Sequence, residues 1–132
     1  MKSKYCFAIA VVVALSGFSA PAVADGDAKR GEALFERVCR ACHTVEGDQN
    51  RVGPYLAGVW ERPIASAKGY HYTKAMRAYG DELGKWNEAA MEAFLMNPRK
   101  TVKGTRMAYA GIREPGPASD LAAYLKSLPT PE

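Results

Sequence analysis

The run VCRACHTVEG, residues 38–47, sets two thiols three residues apart and an imidazole directly after the second: Cys39, Cys42 and His43. Few chemistries ask for that arrangement, and each places different demands on the rest of the chain. A dithiol exchanger belongs in a βαβ setting, where a helix start lowers the pKa of one thiol. A structural zinc site needs four ligands, commonly two well-separated pairs. A covalently attached haem needs the thiol pair and the histidine that follows it.

The surroundings favour the third. The pair lies late in a predicted helix and no strand pattern precedes it, which counts against thiol exchange. For zinc, the remaining histidine, His71, stands alone, and adjacent Cys42 and His43 fit poorly around one small ion. For haem the spacing has a geometric reason. Three residues is nearly one helical turn, so both thiols face one side and can reach the two vinyl groups on one porphyrin edge. His43 then falls where its imidazole can bind the iron axially.

The N-terminus points to export. Lys2 and Lys4 precede a mostly apolar run, Cys6 to Phe18, and Ala22-Val23-Ala24 follows in a small-x-small pattern. That is the form of a secretory signal cut after Ala24. The run is short for a bilayer span and is interrupted by Ser16, Gly17 and Ser19. Residues 1–24 are therefore expected to be removed, leaving 25–132 as one monohaem domain in the periplasm, with no stable membrane insertion. Loss of the two lysines takes the formal charge from +4 to +2. So slight an excess does not point to nucleic acid as a partner.

Apolar periodicity predicts a helix over 27–40, with Ala28, Gly31, Phe35 and Val38 on one face and Asp25 or Asp27 as its cap. From Gly47 to Tyr72 frequent Gly and Pro and the lack of any period predict a long loop. A structureless loop of that length suits a compact domain when it wraps something. A short helix is expected from Thr73 to Tyr79, ending at Gly80. Another is expected from an Asn87 cap to Met96, with Met91, Phe94 and Leu95 inward, and 97–116 again reads as loop. A final helix over 117–128 presents Leu121, Tyr124, Leu125 and Leu128 on one face.

A histidine-bound iron has a sixth position, and methionine is the usual occupant in electron carriers. Met91 and Met96 sit on a helix and Met76 on a short one, where methionine commonly fills core space. Met107 lies in the loop KGTRMAYAG, with glycines on both sides that let backbone approach the porphyrin.

Taken in order, GEALFERVCRACHT, GPYLAGVWER, GYHYTKAM, Trp86, FLMNPRKTVKGTRMAYAGI and DLAAYLKSL resemble class I cytochrome c, close to the mitochondrial and short soluble bacterial types, over nearly the whole of 25–132. The resemblance implies an all-α fold of about four short helices, with long loops wrapped around one covalently bound haem c. It implies a close crossing of the first and last helices, Gly31 and Phe35 against Leu121 and Tyr124. It also implies attachment through Cys39 and Cys42, axial ligation by His43 and Met107, and a bond from the His43 Nδ1–H to the Pro54 carbonyl. Arg62, Tyr72 and Trp86 match positions around the haem propionates. The chain departs from the family pattern at Phe94, Met76 and Lys103, which lack polar or rigid groups common there.

The function so implied is a periplasmic one-electron carrier and not an enzyme, monomeric, cycling Fe(II)/Fe(III) between redox proteins. Quinol–cytochrome reductase, a terminal oxidase, a photosynthetic reaction centre or a periplasmic dehydrogenase fit as partners. Arg40, Lys100, Lys103, Arg106 and Arg113 are placed to form a ring of cations that steers acidic partners. Two other readings stand beside it. One is a haem subunit of a larger dehydrogenase; the other is a peroxidase-like haem enzyme, should Met107 leave the iron free.

Overall fold

The computed structural model describes residues 26–131. The expected export signal lies outside the described residues. Among them there are five helices and no strands: α1 (Ala28–Val38), α2 (Lys74–Leu83), α3 (Glu88–Met96), α4 (Pro98–Thr101) and α5 (Pro115–Ser127). None of these helices is long and apolar enough to cross a membrane.

Helix starts follow side-chain capping. Asp27 accepts from the N–H groups of Lys29 and Arg30, Thr73 from Met76, and Asn87 from Ala90. Each satisfies N–H groups that the first helical turn leaves without partners.

Four features differ from the sequence-based expectation. Helix α1 stops at Val38 rather than Arg40, and 39–43 turn sharply. Helix α2 runs through Gly80 to Leu83. Gly80 is present for packing rather than termination, because a Cβ there would lie 2.7 Å from the Ile64 carbonyl oxygen. The helix ends instead at Gly84, whose φ of 79° favours glycine. Within the expected loop 97–116, Asn97 caps a further turn by accepting from Lys100, and Pro98 occupies its first position without loss, since that N–H needs no helical partner. The last helix likewise begins two residues early, at Pro115.

The core forms where α1 crosses α5, and α3 lies against α5. Phe35 and Leu121 are fully buried, and the Phe35 ring meets Tyr124 at 5.7 Å between centroids. Gly31 makes the crossing possible: a Cβ there would sit 2.0 Å from the Asp120 carbonyl oxygen. A polar clasp closes the same joint. The Asp120 carboxylate accepts from the Asp27 N–H at 2.7 Å and from Arg30 at 2.7 and 3.0 Å. Its side chain is 11 % exposed, and the Arg30 bond holds its carboxyl below the ordinary value. No feature of the helical periodicity announced this clasp.

Candidate functional site

Helix α1 delivers the thiol pair. Beyond Val38 the N–H groups of Cys42 and His43 both reach the Cys39 carbonyl at 3.0 Å, a turn that brings the three side chains close together. The long loop then comes back beside them. Gly53 N–H donates to the Cys42 carbonyl at 2.8 Å, and Leu56 N–H to that of Thr44 at 2.7 Å.

This return holds the imidazole. His43 Nδ1 lies 2.7 Å from the Pro54 carbonyl oxygen, so Nδ1 carries the proton and Nε2 is left free as a donor atom. Gly53 lies against the ring: a Cβ at that position would come within 2.3 Å of His43 Cε1. Burial lowers the His43 pKa, opposed by its bond to Pro54, and favours the neutral form that can bind a metal. Gly53 did not stand out in the sequence; its signal was the Gly-Pro dipeptide opening GPYL.

The turn and loop border a cavity of about 330 Å³. Every site residue expected from sequence lines it: Cys39, Cys42, His43, Pro54, Arg62, Tyr72, Trp86 and Met107. Phe35, Leu95, Leu121 and Leu125 supply apolar wall from α1, α3 and α5. Val38 and Val52 line it while 41 % and 78 % exposed, which marks where it opens to solvent. Met76 lines it too, alongside Met91 and Met107.

Met107 reaches the cavity from the loop between α4 and α5. That loop is pinned by buried Val102 and Ile112, the latter donating to the Leu95 carbonyl at 2.9 Å. Gly111 approaches α3 so closely that a Cβ would meet the Met96 carbonyl oxygen at 2.0 Å. Met107 N–H is bound by the Thr105 hydroxyl at 3.2 Å.

Arg62 spans the first loop from within. Its guanidinium donates to the Tyr55 carbonyl at 2.6 Å and stacks over the Tyr55 ring at 4.7 Å. The Tyr72 hydroxyl accepts from the Ala67 N–H at 3.3 Å, and burial raises its pKa against the opposing pull of Arg62. Trp86 packs between Phe94 and Tyr79.

Of the cations expected at the mouth, Arg40 is engaged by Glu36 at 2.6 Å, whereas Lys100, Lys103 and Arg106 have no carboxylate partner among the described residues. Arg51, which periodicity did not single out, is a further exposed cation, next in sequence to Val52 of the cavity lining.

The thiols themselves argue against disulfide exchange. Burial, and secondarily Cys42, pushes the Cys39 thiol up to about 11, the opposite of the lowered value a reactive thiol needs. Nor do any three His, Cys, Asp or Glu side chains among the described residues group to hold a metal ion.

A family model for cytochrome c matches residues 28–129. The chain belongs to the cytochrome c family. A cytochrome c of Gibberella zeae is 44% identical over 105 residues, covering 79% of this chain and 96% of that one. A cytochrome c2 of Agrobacterium tumefaciens is 41% identical over 102 residues, covering 76% and 91%. A cytochrome c-type cyt cy of Rhodobacter capsulatus is 38% identical over 109 residues, 83% of this chain but 53% of that longer protein.

Membership of the cytochrome c family implies covalently bound haem c, redox protein partners and electron transfer rather than catalysis. The cavity suits that group. Two thiols, an imidazole with its Nε2 free and a thioether border one space, and the wall between them is largely apolar, as a porphyrin face requires.

Proposed function

We propose that the chain is a periplasmic one-electron carrier, exported by residues 1–24, that holds a single haem c. Cys39 and Cys42 would bind it through thioethers, and His43 and Met107 would be its axial ligands. The observation that carries this reading is the His43 cradle: Nδ1 fixed on the Pro54 carbonyl, Gly53 flat against the ring, and Met107 bordering the same cavity. When bound, haem supplies an iron that takes up and releases one electron.

The protein's own residues do the rest. The Pro54 carbonyl fixes the imidazole tautomer and strengthens Nε2 as a donor. The pinned loop 102–112 keeps the Met107 thioether in place in either oxidation state. Apolar wall residues exclude water, which disfavours the extra positive charge of the oxidised form. Arg62, Tyr72 and Trp86 offer N–H and O–H groups for the buried carboxylates of the propionates. Lys100, Lys103 and Arg106 present unneutralised charge to an acidic redox partner such as a quinol–cytochrome reductase, terminal oxidase, reaction centre or periplasmic dehydrogenase.

Mass spectrometry and optical spectroscopy of the exported protein test this. The purified polypeptide should begin at Asp25 and carry one added tetrapyrrole mass. Its oxidised form should show a weak red charge-transfer band from thioether to iron, which Met107→Leu abolishes. A band that survives in Met107→Leu assigns the ligand to another methionine and refutes this reading.

A further inference from the structure

Beside the cofactor cavity lies a second, open hollow of about 470 Å³, bordered by Asn50, Arg51, Val52, Gly69, Tyr70, His71 and Arg106. Three separate segments meet there, and Val52, Tyr70 and Arg106 also line the cofactor cavity. No acidic side chain borders the hollow.

Its two arginines are anchored but not neutralised. Arg51 donates through one guanidinium nitrogen to the Arg40 carbonyl at 3.1 Å, and Arg106 donates to the His71 carbonyl. Neither has a carboxylate partner among the described residues. Asp48, the nearest acid in sequence, accepts from the Gln49 side chain instead. Each guanidinium therefore gives up one donor to a backbone oxygen that holds it in position, and keeps further N–H groups and its full charge. Two other polar side chains of the rim are engaged with backbone: Asn50 with Lys68 and Tyr55, and Tyr70 with Val52. They brace the rim and keep the two loops together.

We propose that this hollow is a binding site for a phosphate-type oxyanion, in the form of a soluble oligophosphate. Two fixed guanidiniums with spare donors match phosphoryl oxygens, which favour the planar fork of arginine. The hollow has room for more than one phosphoryl group, since a water molecule takes up only about 30 Å³. Bound there, an oligophosphate would join the loop at 50–52 to those at 69–71 and 106. Binding to the folded chain alone would raise stability with the logarithm of ligand concentration once that exceeds Kd.

The test uses the reduced, haem-loaded protein in low-salt buffer free of phosphate, titrated with inorganic pyrophosphate and followed by two-dimensional NMR of backbone amides and by thermal unfolding. Saturable one-to-one binding is expected, with shifts centred on 50–52, 69–71 and 106 and a rise in the unfolding midpoint. Arg51→Gln should weaken binding about tenfold, the order of one charge-assisted hydrogen bond. Arg77→Gln serves as control; that arginine is also tied to a backbone carbonyl, that of Tyr72, but lies outside the hollow. Shifts centred on Lys100 and Lys103, equal loss of binding in both variants, or no saturation would each overturn the proposal. So would binding to vesicles of phosphatidylcholine with phosphatidylglycerol while pyrophosphate fails to bind, which would give the arginines to a lipid headgroup.

Discussion

Replacing Gly31 by alanine sets two effects of known sign against each other. In mid-helix, alanine is favoured over glycine by about 0.5–1 kcal/mol, because it loses less backbone freedom on folding. At this position the new methyl would stand 2.0 Å from the Asp120 carbonyl oxygen and 2.8 Å from Tyr124 Cβ. Both obstacles belong to α5 near its backbone, so no side-chain rotation relieves them. The helices must separate by roughly 1 Å, and a gap of that size already forfeits about a quarter to a half of each contact's dispersion energy. Phe35 and Leu121, both fully buried at the crossing, bear most of that loss. Overpacking of this kind costs about 1–3 kcal/mol, so after the propensity gain the substitution should leave a net loss of about 1 kcal/mol. For a domain of this size that corresponds to a fall in midpoint of roughly 5 °C. Far-ultraviolet circular dichroism of the haem-loaded protein during thermal and urea unfolding would measure it. Glu32→Ala, on the exposed side of α1, should stay within about 0.5 kcal/mol of the parent. A midpoint unchanged or raised in Gly31→Ala would refute the close-contact account of the crossing.

Other expected outcomes follow from the same contacts. Gly53→Ala places a methyl against the His43 ring and should both lower stability by about 1–3 kcal/mol and alter the optical spectrum. An unchanged spectrum would mean that Gly53 does not hold the imidazole. The Asp120 carboxyl is depressed in the fold chiefly by Arg30, so its contribution is present above about pH 4, the unfolded value, and is lost as the pH falls through the lower folded value. The stability gap between the parent and Asp120→Asn should accordingly narrow between neutral pH and about pH 3, and a constant gap in urea midpoints would exclude the charge as its source. Electron exchange with an acidic redox protein should slow steeply as salt rises from about 0.01 to 0.3 M, where the screening length drops below about 10 Å. Stopped-flow rates indifferent to salt would remove the steering role of Lys100, Lys103 and Arg106.

Much of the site was legible because its signals are local. Cys39, Cys42 and His43 are recognisable from spacing, and the α1, α3 and α5 faces from periodicity. The misreadings share one cause, a residue whose role is set by a distant neighbour. Gly80 read as a helix stop because its packing against Ile64 cannot be seen along the chain, while the true stop, Gly84, is distinguished only by backbone angle. The helix end at Met96 was read correctly, but α4 was missed, because the asparagine that closes α3 also caps the next turn. Asp120 looked like one more polar residue on α5, and only the approach of α1 gives it three donors. Gly53 and Arg51 were passed over because their partners, the His43 ring and the Arg40 carbonyl, lie across a turn of the loop. Patterns of period can find faces; they cannot find what those faces will touch.

Phe35, Leu121 and Leu125 belong at once to the crossing of α1 with α5 and to the wall of the haem cavity. Holding the group and packing the end helices are thus coupled through the same side chains. A chain that misses its prosthetic group should therefore lose part of the interior surface its two end helices share, and open more readily to proteases than the loaded protein.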